Sequence, residues 1–354
     1  MMRFDFLMCS ERSGSNLMTK LLNAHPELCG SFPSHVTRQF GENYFRYGDV
    51  QRDENWDVLL EDVAYYFDHL YTYWKKKPTL EELRSEVKTR SLAAIVRYVY
   101  EQEAAAHGKS RVFVKENHSY RLAPYFLAHF PDCKFVYVVR DPRDMALSWI
   151  DLQFKGYIDK AIDAWKGDQS QGMRLYSFLR DIDRCILVLF EDLITETERE
   201  MKRVSAFLGI EFTPKMLEFH VDPLVVQNST DFSGWSDLRK PIQSDNKRTY
   251  PGRLNETEIR YIEAVCRREM AFFGYEPDFD ESVDLQTLEE AVAERARSFQ
   301  TEDEVGGLAH LEGVALTGEQ GMNPVERGRF SMYAEALQRI QSRRLYPQTG
   351  GGRE

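Results

Sequence analysis

Nowhere in these 354 residues does an apolar run approach the roughly 20 residues that a membrane-spanning helix requires. The opening run, Met1 to Cys9, contains Arg3 and Asp5 and turns polar at Ser10, which makes it too short for a secretory core. Only five cysteines occur, Cys9, Cys29, Cys133, Cys185 and Cys266, without the close pairs of a zinc site. Reduced thiols and a cytoplasmic setting are therefore expected. Basic charge is in deficit, with 46 Lys and Arg against 57 Asp and Glu, and a net charge of -11 excludes a generic nucleic-acid binder. A small anionic ligand stays compatible, because it needs only a local group of N–H donors and a few cations.

What the chain does have is core-forming material, 42% hydrophobic and 13% aromatic, enough for one large domain or two of ordinary size. Phe4 to Cys9 reads as a strand, breaks at Ser10–Ser15 into a polar loop, and gives way to Leu17, Leu21 and Leu22 at helical spacing. Phe113-Val114-Lys115 predicts another strand. Cys133 to Val139 is an almost unbroken apolar run suited to a central parallel strand, and Cys185 to Phe190 predicts a further one. Asp141-Pro142 supplies an N-cap and a first-turn proline for a helix carrying Met145 to Ser148, and Gly209 closes a helix over 198–208. Strands alternating with helices indicate an α/β fold with a central, mostly parallel sheet flanked by helices.

A long aromatic-rich insert, about 32–107, has helical periodicity, and its aromatics suit the core of a helical layer or the lining of an acceptor pocket. The core domain is expected over 1–280. Residues 281–354 form a C-terminal extension, with a polar, mobile linker expected over 300–321 and a helix over 327–345.

Two constellations carry chemistry. In Arg12-Ser13-Gly14-Ser15-Asn16-Leu17, a strand hands over to a helix, so unpaired backbone N–H groups converge on one point. Gly14 lets the backbone approach an oxyanion, Ser13, Ser15 and Asn16 add donors, and Arg12 adds charge. The loop lacks the Gly-x-x-x-x-Gly-Lys of a nucleoside triphosphatase. A second cluster, Arg140, Arg143 and Ser148, follows the central strand at the edge where open α/β sheets bind ligands.

Together these segments resemble the sulfotransferases that use 3′-phosphoadenosine 5′-phosphosulfate (PAPS), in their bacterial form. The loop matches the family's Lys/Arg-Ser-Gly-Ser/Thr, and Arg140-Asp141-Pro142-Arg143-Asp144-Met145-Ala146-Leu147-Ser148 matches Arg-x-Pro-Arg/Lys-Asp-x-x-x-Ser. Leu22-Asn23-Ala24-His25-Pro26, Phe190-Glu191-Asp192-Leu193, Phe207-Leu208-Gly209 and Phe273-Gly274-Tyr275-Glu276 extend the likeness over about 4–277.

The resemblance implies a three-layer sandwich of the P-loop NTPase type and a sulfuryl transfer that yields adenosine 3′,5′-bisphosphate. It implies that Arg12 to Leu17 hold the 5′-phosphosulfate, that Arg140 and Ser148 hold the 3′-phosphate, and that Lys247 or Arg248, in the segment 244–253, reaches over the nucleotide. Arg12 stands where many members have Lys; it cannot give up a proton and is expected to act through charge alone. For the base, the family uses a His after a strand or a Glu behind the first helix. The candidates here are His118, Glu116 and, where the Glu is missing, His35. The acceptor is left as a small molecule, carbohydrate or lipid with a hydroxyl or amine, and homo-oligomer formation stays open. An atypical nucleotide kinase and a non-catalytic nucleotide-binding regulator are the alternatives.

Overall fold

The computed structural model describes residues 1–151, 157–279, 284–300 and 322–343. Its framework is five parallel strands, β1 (Arg3–Cys9), β2 (Leu28–Cys29), β3 (Arg111–Lys115), β4 (Phe135–Val139) and β5 (Cys185–Leu189), in the spatial order β2-β3-β1-β4-β5. The helices in chain order are α1 (Ser15–Asn23), α2 (Val36–Asn43), α3 (Asp53–Asp68), α4 (Leu80–Glu86), α5 (Leu92–Ala106), α6 (Ser119–His129) and α7 (Pro142–Asp151). After these come α8 (Ile158–Asp181), α9 (Phe190–Thr195), α10 (Thr197–Leu208), α11 (Pro223–Asp231), α12 (Glu256–Phe273), α13 (Leu285–Gln300) and α14 (Pro324–Ser342).

Continuous apolar runs form these strands because both faces of the sheet are covered. Alternate residues of β1 divide between two cores: Phe4, Phe6 and Met8 enter the larger one, with α3, α5, α6, α8 and α12, while Leu7 and Cys9 pack beneath α1 and α10. The result is a three-layer α/β sandwich of the P-loop type, as expected. All strand pairs are parallel, with Leu7 of β1 opposite Lys115 of β3 and Val136 of β4. Since β1 has neighbours on both sides, its carboxyl end opens at the centre of the sheet, where the polar loop leaves it.

The short edge strand β2 has too few residues to show periodicity, and its pairing to β3 alone defines it. The insert is helical over α2–α5, and Tyr66, Phe67, Tyr71, Trp74 and Tyr100 are buried in the larger core. Beyond 279, α13 packs on α12, and α14 packs on α3, where Arg339 and Arg343 pair with buried Asp62. Helix α14 begins three residues before its expected start because Asn323 caps it, accepting from Glu326 N at 2.9 Å, with Pro324 at the first position. The expected linker lies, from residue 301 onward, outside the described residues. All five cysteines are buried and unpaired with one another.

The sheet and α8 meet closely at Gly172, where an added Cβ would sit inside the van der Waals surface of the Tyr137 hydroxyl. Gly172→Ala should cost about 1–3 kcal/mol through overpacking. Urea unfolding checks this, with a fall in the midpoint at unchanged slope.

Candidate functional site

Gly14, with φ 84°, is the left-handed N-cap of α1, and its conformation turns the chain from β1 into the helix. A Cβ there would collide with the Phe190 ring. Buried Ser13 donates to Ser10 O at 2.7 Å and closes the turn. The N–H groups of residues 15–17 are ones the helix leaves without internal partners, and the first turn carries no acidic side chain.

The second cluster comes to the same place. Arg140 Nη1 donates to Arg12 O at 3.4 Å, its Nη2 to Asn246 Oδ1 at 3.3 Å, and its guanidinium lies 4.6 Å from the Phe190 ring centroid. Arg12 Nε donates to Ser148 Oγ at 3.3 Å and Nη1 to Gly234 O at 3.2 Å. Phe190 therefore joins the two constellations, backing Gly14 on one side and Arg140 on the other. Among the described residues neither guanidinium has a carboxylate within ion-pair distance, and Arg140 Nε is buried without a hydrogen-bond partner. Burial and the neighbouring Arg140 push Arg12 down to about 10, and burial lowers Arg140 as well. Two cations without an ion-paired carboxylate, one buried and one half-buried, beside a helix N-terminus favour an anion at this place.

Arg12, Gly14, Asn16, Arg140, Trp235 and Asn246 line one cleft, with Ser15, Leu17 and Lys240, whose empty space including its open mouth is about 740 Å³. The donor set fits a dianionic nucleotide end. Lys247 and Arg248 are not in the cleft lining; Arg248 is 65% exposed and pairs with Asp278 at 2.8 Å. Asn246, from the same segment, takes the position over Arg140. Arg143 is also withdrawn from ligand contact, because it is buried against Asp141 at 2.7 Å and Glu263 at 2.6 Å.

Three supporting groups were not singled out in the sequence. Asp144 accepts from the N–H groups of Arg248, Thr249 and Tyr250, at 2.6, 2.7 and 3.1 Å, and so ties that segment to α7. Glu191 accepts from Asp141 N and from Tyr275 Oη, each at 2.9 Å, and holds the backbone after Arg140. Asp168 on α8 binds Ser10 Oγ at 2.8 Å, Tyr120 Oη at 2.7 Å and His118 Nδ1 at 3.1 Å. Each carboxylate lies far in sequence from its partners; Asp144 and Glu191 fall inside the quoted family segments, which do not reveal what they bind, and Asp168 falls in none.

The base candidates separate into two groups. His118 sits next to the donor loop through Asp168, which Ser10 shares, and its side chain is 25% exposed. A carboxylate at Nδ1 fixes the tautomer that leaves the Nε2 lone pair outward. His35, 4% exposed, is buried with Nδ1 3.6 Å from Glu116 Oε2. Burial pushes Glu116 up to about 7, and its other oxygen accepts from Thr37 N at 3.2 Å. No group of His, Cys, Asp and Glu among the described residues is arranged to hold a metal ion, and no described helix is long and apolar enough to cross a membrane.

The profile of the sulfotransferase family matches residues 6–214. This chain belongs to the sulfotransferase family. It is a sulfotransferase enzyme, and the profile match takes in both the 12–17 loop and the segment 140–148. A protein-tyrosine sulfotransferase of Drosophila melanogaster is 24% identical over 279 residues, 75% of this chain and half of the fly protein. Protein-tyrosine sulfotransferase A of Caenorhabditis elegans is 22% identical over 298 residues, 78% of this chain and 68% of that one. Among solved structures, the sulfotransferase domain of the Synechococcus PCC 7002 olefin synthase superposes with a TM-score of 0.53 at 19% identity, covering 77% of this chain and 95% of that domain. The sulfotransferase domain from the curacin biosynthetic pathway gives 0.52 at 15% identity, with 78% and 99% covered. At these identities the superpositions establish a shared fold.

The raised Glu116 has a stability consequence whose sign follows from linkage. The folded protein holds this proton from the ordinary value of 4.5 up to about 7, so stability falls as pH rises through that window. Glu116→Gln removes the titration and keeps an acceptor for Thr37 N. The melting temperature of the variant minus that of the parent should rise from pH 5 to pH 8, which a pH series of thermal melts will show.

Proposed function

We propose that this enzyme transfers the sulfuryl group of PAPS to an acceptor hydroxyl and releases adenosine 3′,5′-bisphosphate. The observation that carries the proposal is the pair of guanidiniums, half-buried Arg12 and buried Arg140, facing one cleft with no ion-paired carboxylate among the described residues. In this reading the loop 12–17 holds the 5′-phosphosulfate, Arg140 with Ser148 and Asn246 takes the 3′-phosphate, and the Trp235 indole offers the base a flat apolar wall.

The S–O bond to the 5′-phosphate breaks as a new S–O bond forms to the acceptor oxygen, and negative charge grows on the departing phosphate. Arg12 and the α1 N-terminus stabilise that charge without proton transfer, since the guanidinium stays protonated. The acceptor proton goes to Nε2 of His118, whose imidazolium Asp168 then stabilises. His118 is preferred to His35 and Glu116 because its ring is oriented by a carboxylate shared with the donor loop, whereas the other two are buried against each other. The named relatives support a tyrosyl phenol as the acceptor to try first. A kinase reading finds no support, since the loop lacks the P-loop lysine.

Calorimetry with adenosine 3′,5′-bisphosphate tests the donor site. The parent should bind, and Arg12→Ala should weaken binding by roughly 30-fold or more, as expected for removing a half-buried charged donor; a parent that does not bind overturns the proposal. His118→Ala should lower sulfuryl transfer from PAPS to a tyrosine peptide by about 10²–10⁴-fold with nucleotide affinity unchanged. Full activity of that variant would remove His118 from the mechanism.

A further inference from the structure

Helix α14 lies outside the region that the family profile matches, yet it packs against the segment that leads into the donor cleft. Its N-cap and two of its residues hold three consecutive positions just before Gly234. Asn323 Nδ2 donates to Asp231 O at 3.0 Å. Phe330 packs edge-on against Phe232 with ring centroids 5.7 Å apart. Glu326, itself buried, accepts from Ser233 N at 3.4 Å and Ser233 Oγ at 3.3 Å. The next residue, Gly234, gives its carbonyl to Arg12 Nη1, and Trp235 after it lines the cleft.

A glycine has no side chain to anchor it, so the direction of its carbonyl depends on what holds its neighbours. We propose that α14 is a brace of the donor cleft and that Glu326 is a positioning residue for Arg12, acting through Ser233 and the Gly234 carbonyl. The inference rests on the reading of that cleft as the PAPS site. It assigns the C-terminal extension a part in catalysis: the extension sets the guanidinium that meets the 5′-phosphosulfate, while Arg140 at the 3′-phosphate is held by Glu191, Phe190 and Asn246, independently of α14.

The brace does not depend on Glu326 for its own attachment. Arg329 donates to the carbonyls of Tyr71, Leu70 and Thr72 at 2.6, 2.9 and 3.3 Å, and Phe330 stacks on Tyr71 at 5.0 Å. Arg339 and Arg343 pair with Asp62 about three to four turns further on. Removing the Glu326 carboxylate should therefore release Ser233, and with it the Gly234 carbonyl, and leave α14 in place.

The test is a double-mutant cycle on the full chain, reading the affinity for adenosine 3′,5′-bisphosphate by calorimetry. Glu326→Ala should weaken binding roughly fivefold to tenfold, and Glu326→Gln, which keeps an acceptor oxygen for Ser233, should restore it to within about twofold. On an Arg12→Ala background, Glu326→Ala should add nothing. A loss that adds fully to that of Arg12→Ala, or that the Gln variant fails to rescue, would overturn the proposal. If Glu326→Ala does not fold, Ser233→Ala removes one of the two donors from an exposed turn and should give roughly a twofold to threefold loss with the same non-additivity. A parent that binds no nucleotide refutes the donor-site reading and this inference together; binding with additive losses refutes the brace alone.

Discussion

Two positive charges, buried Arg140 and half-buried Arg12, sit at the carboxyl end of the central strands, and among the described residues neither has a carboxylate within ion-pair distance. Arg140 is close enough to depress the proton affinity of Arg12, and the hydrogen bonds of the two guanidiniums go to carbonyls, a hydroxyl and an amide oxygen. Such an arrangement costs folding free energy. It persists because the surrounding packing over-determines it, and an anionic ligand returns the cost as binding free energy. The rest of the site is organised around keeping these two groups in position.

The means are ordinary packing and hydrogen bonds placed where three layers meet. Phe190 is a single ring wedged between a glycine that cannot be larger and a guanidinium that lies on its face. Glu191, one residue on, fixes the backbone after Arg140, and Asp144 binds the segment that carries Asn246. Asp168 performs the same service on the acceptor side, where it joins Ser10 of the donor loop to His118. Carboxylates that would neutralise the arginines are instead spent on backbone N–H groups, hydroxyls and an imidazole. The cleft keeps its positive potential inside a protein whose net charge is -11.

Much of this was legible from local pattern. Continuous apolar strands, the Gly14 turn and the Asp141-Pro142 helix start each depend on a few adjacent residues, and each has a signature that survives in one dimension. In sequence a buried arginine near a ligand edge reads alike whether it meets a ligand or an internal carboxylate, and Glu263, which Arg143 meets, lies 120 residues away. A two-residue difference decides which side chain of the 244–253 loop faces the cleft, where Asn246 is among the lining residues and Arg248 is not. The insert's aromatics were read as core or as pocket lining; Tyr66, Phe67 and Tyr100 lie in the core, and Tyr71 packs edge-on against Phe232 in the braced segment.

The sequence by itself determined that this is a parallel α/β protein with an anion-binding turn after its first strand and an arginine after its central one, because strand burial, glycine turns and helix starts are short-range properties of the chain. It did not determine which histidine is oriented, which arginine is left without an ion-paired carboxylate, or that the final helix packs against the segment leading into the cleft. Those outcomes depend on contacts between residues some 50 to more than 200 positions apart, such as His118 with Asp168 and Glu326 with Ser233 and, through it, Arg12. Only the closed packing of all three layers brings such residues within hydrogen-bond distance.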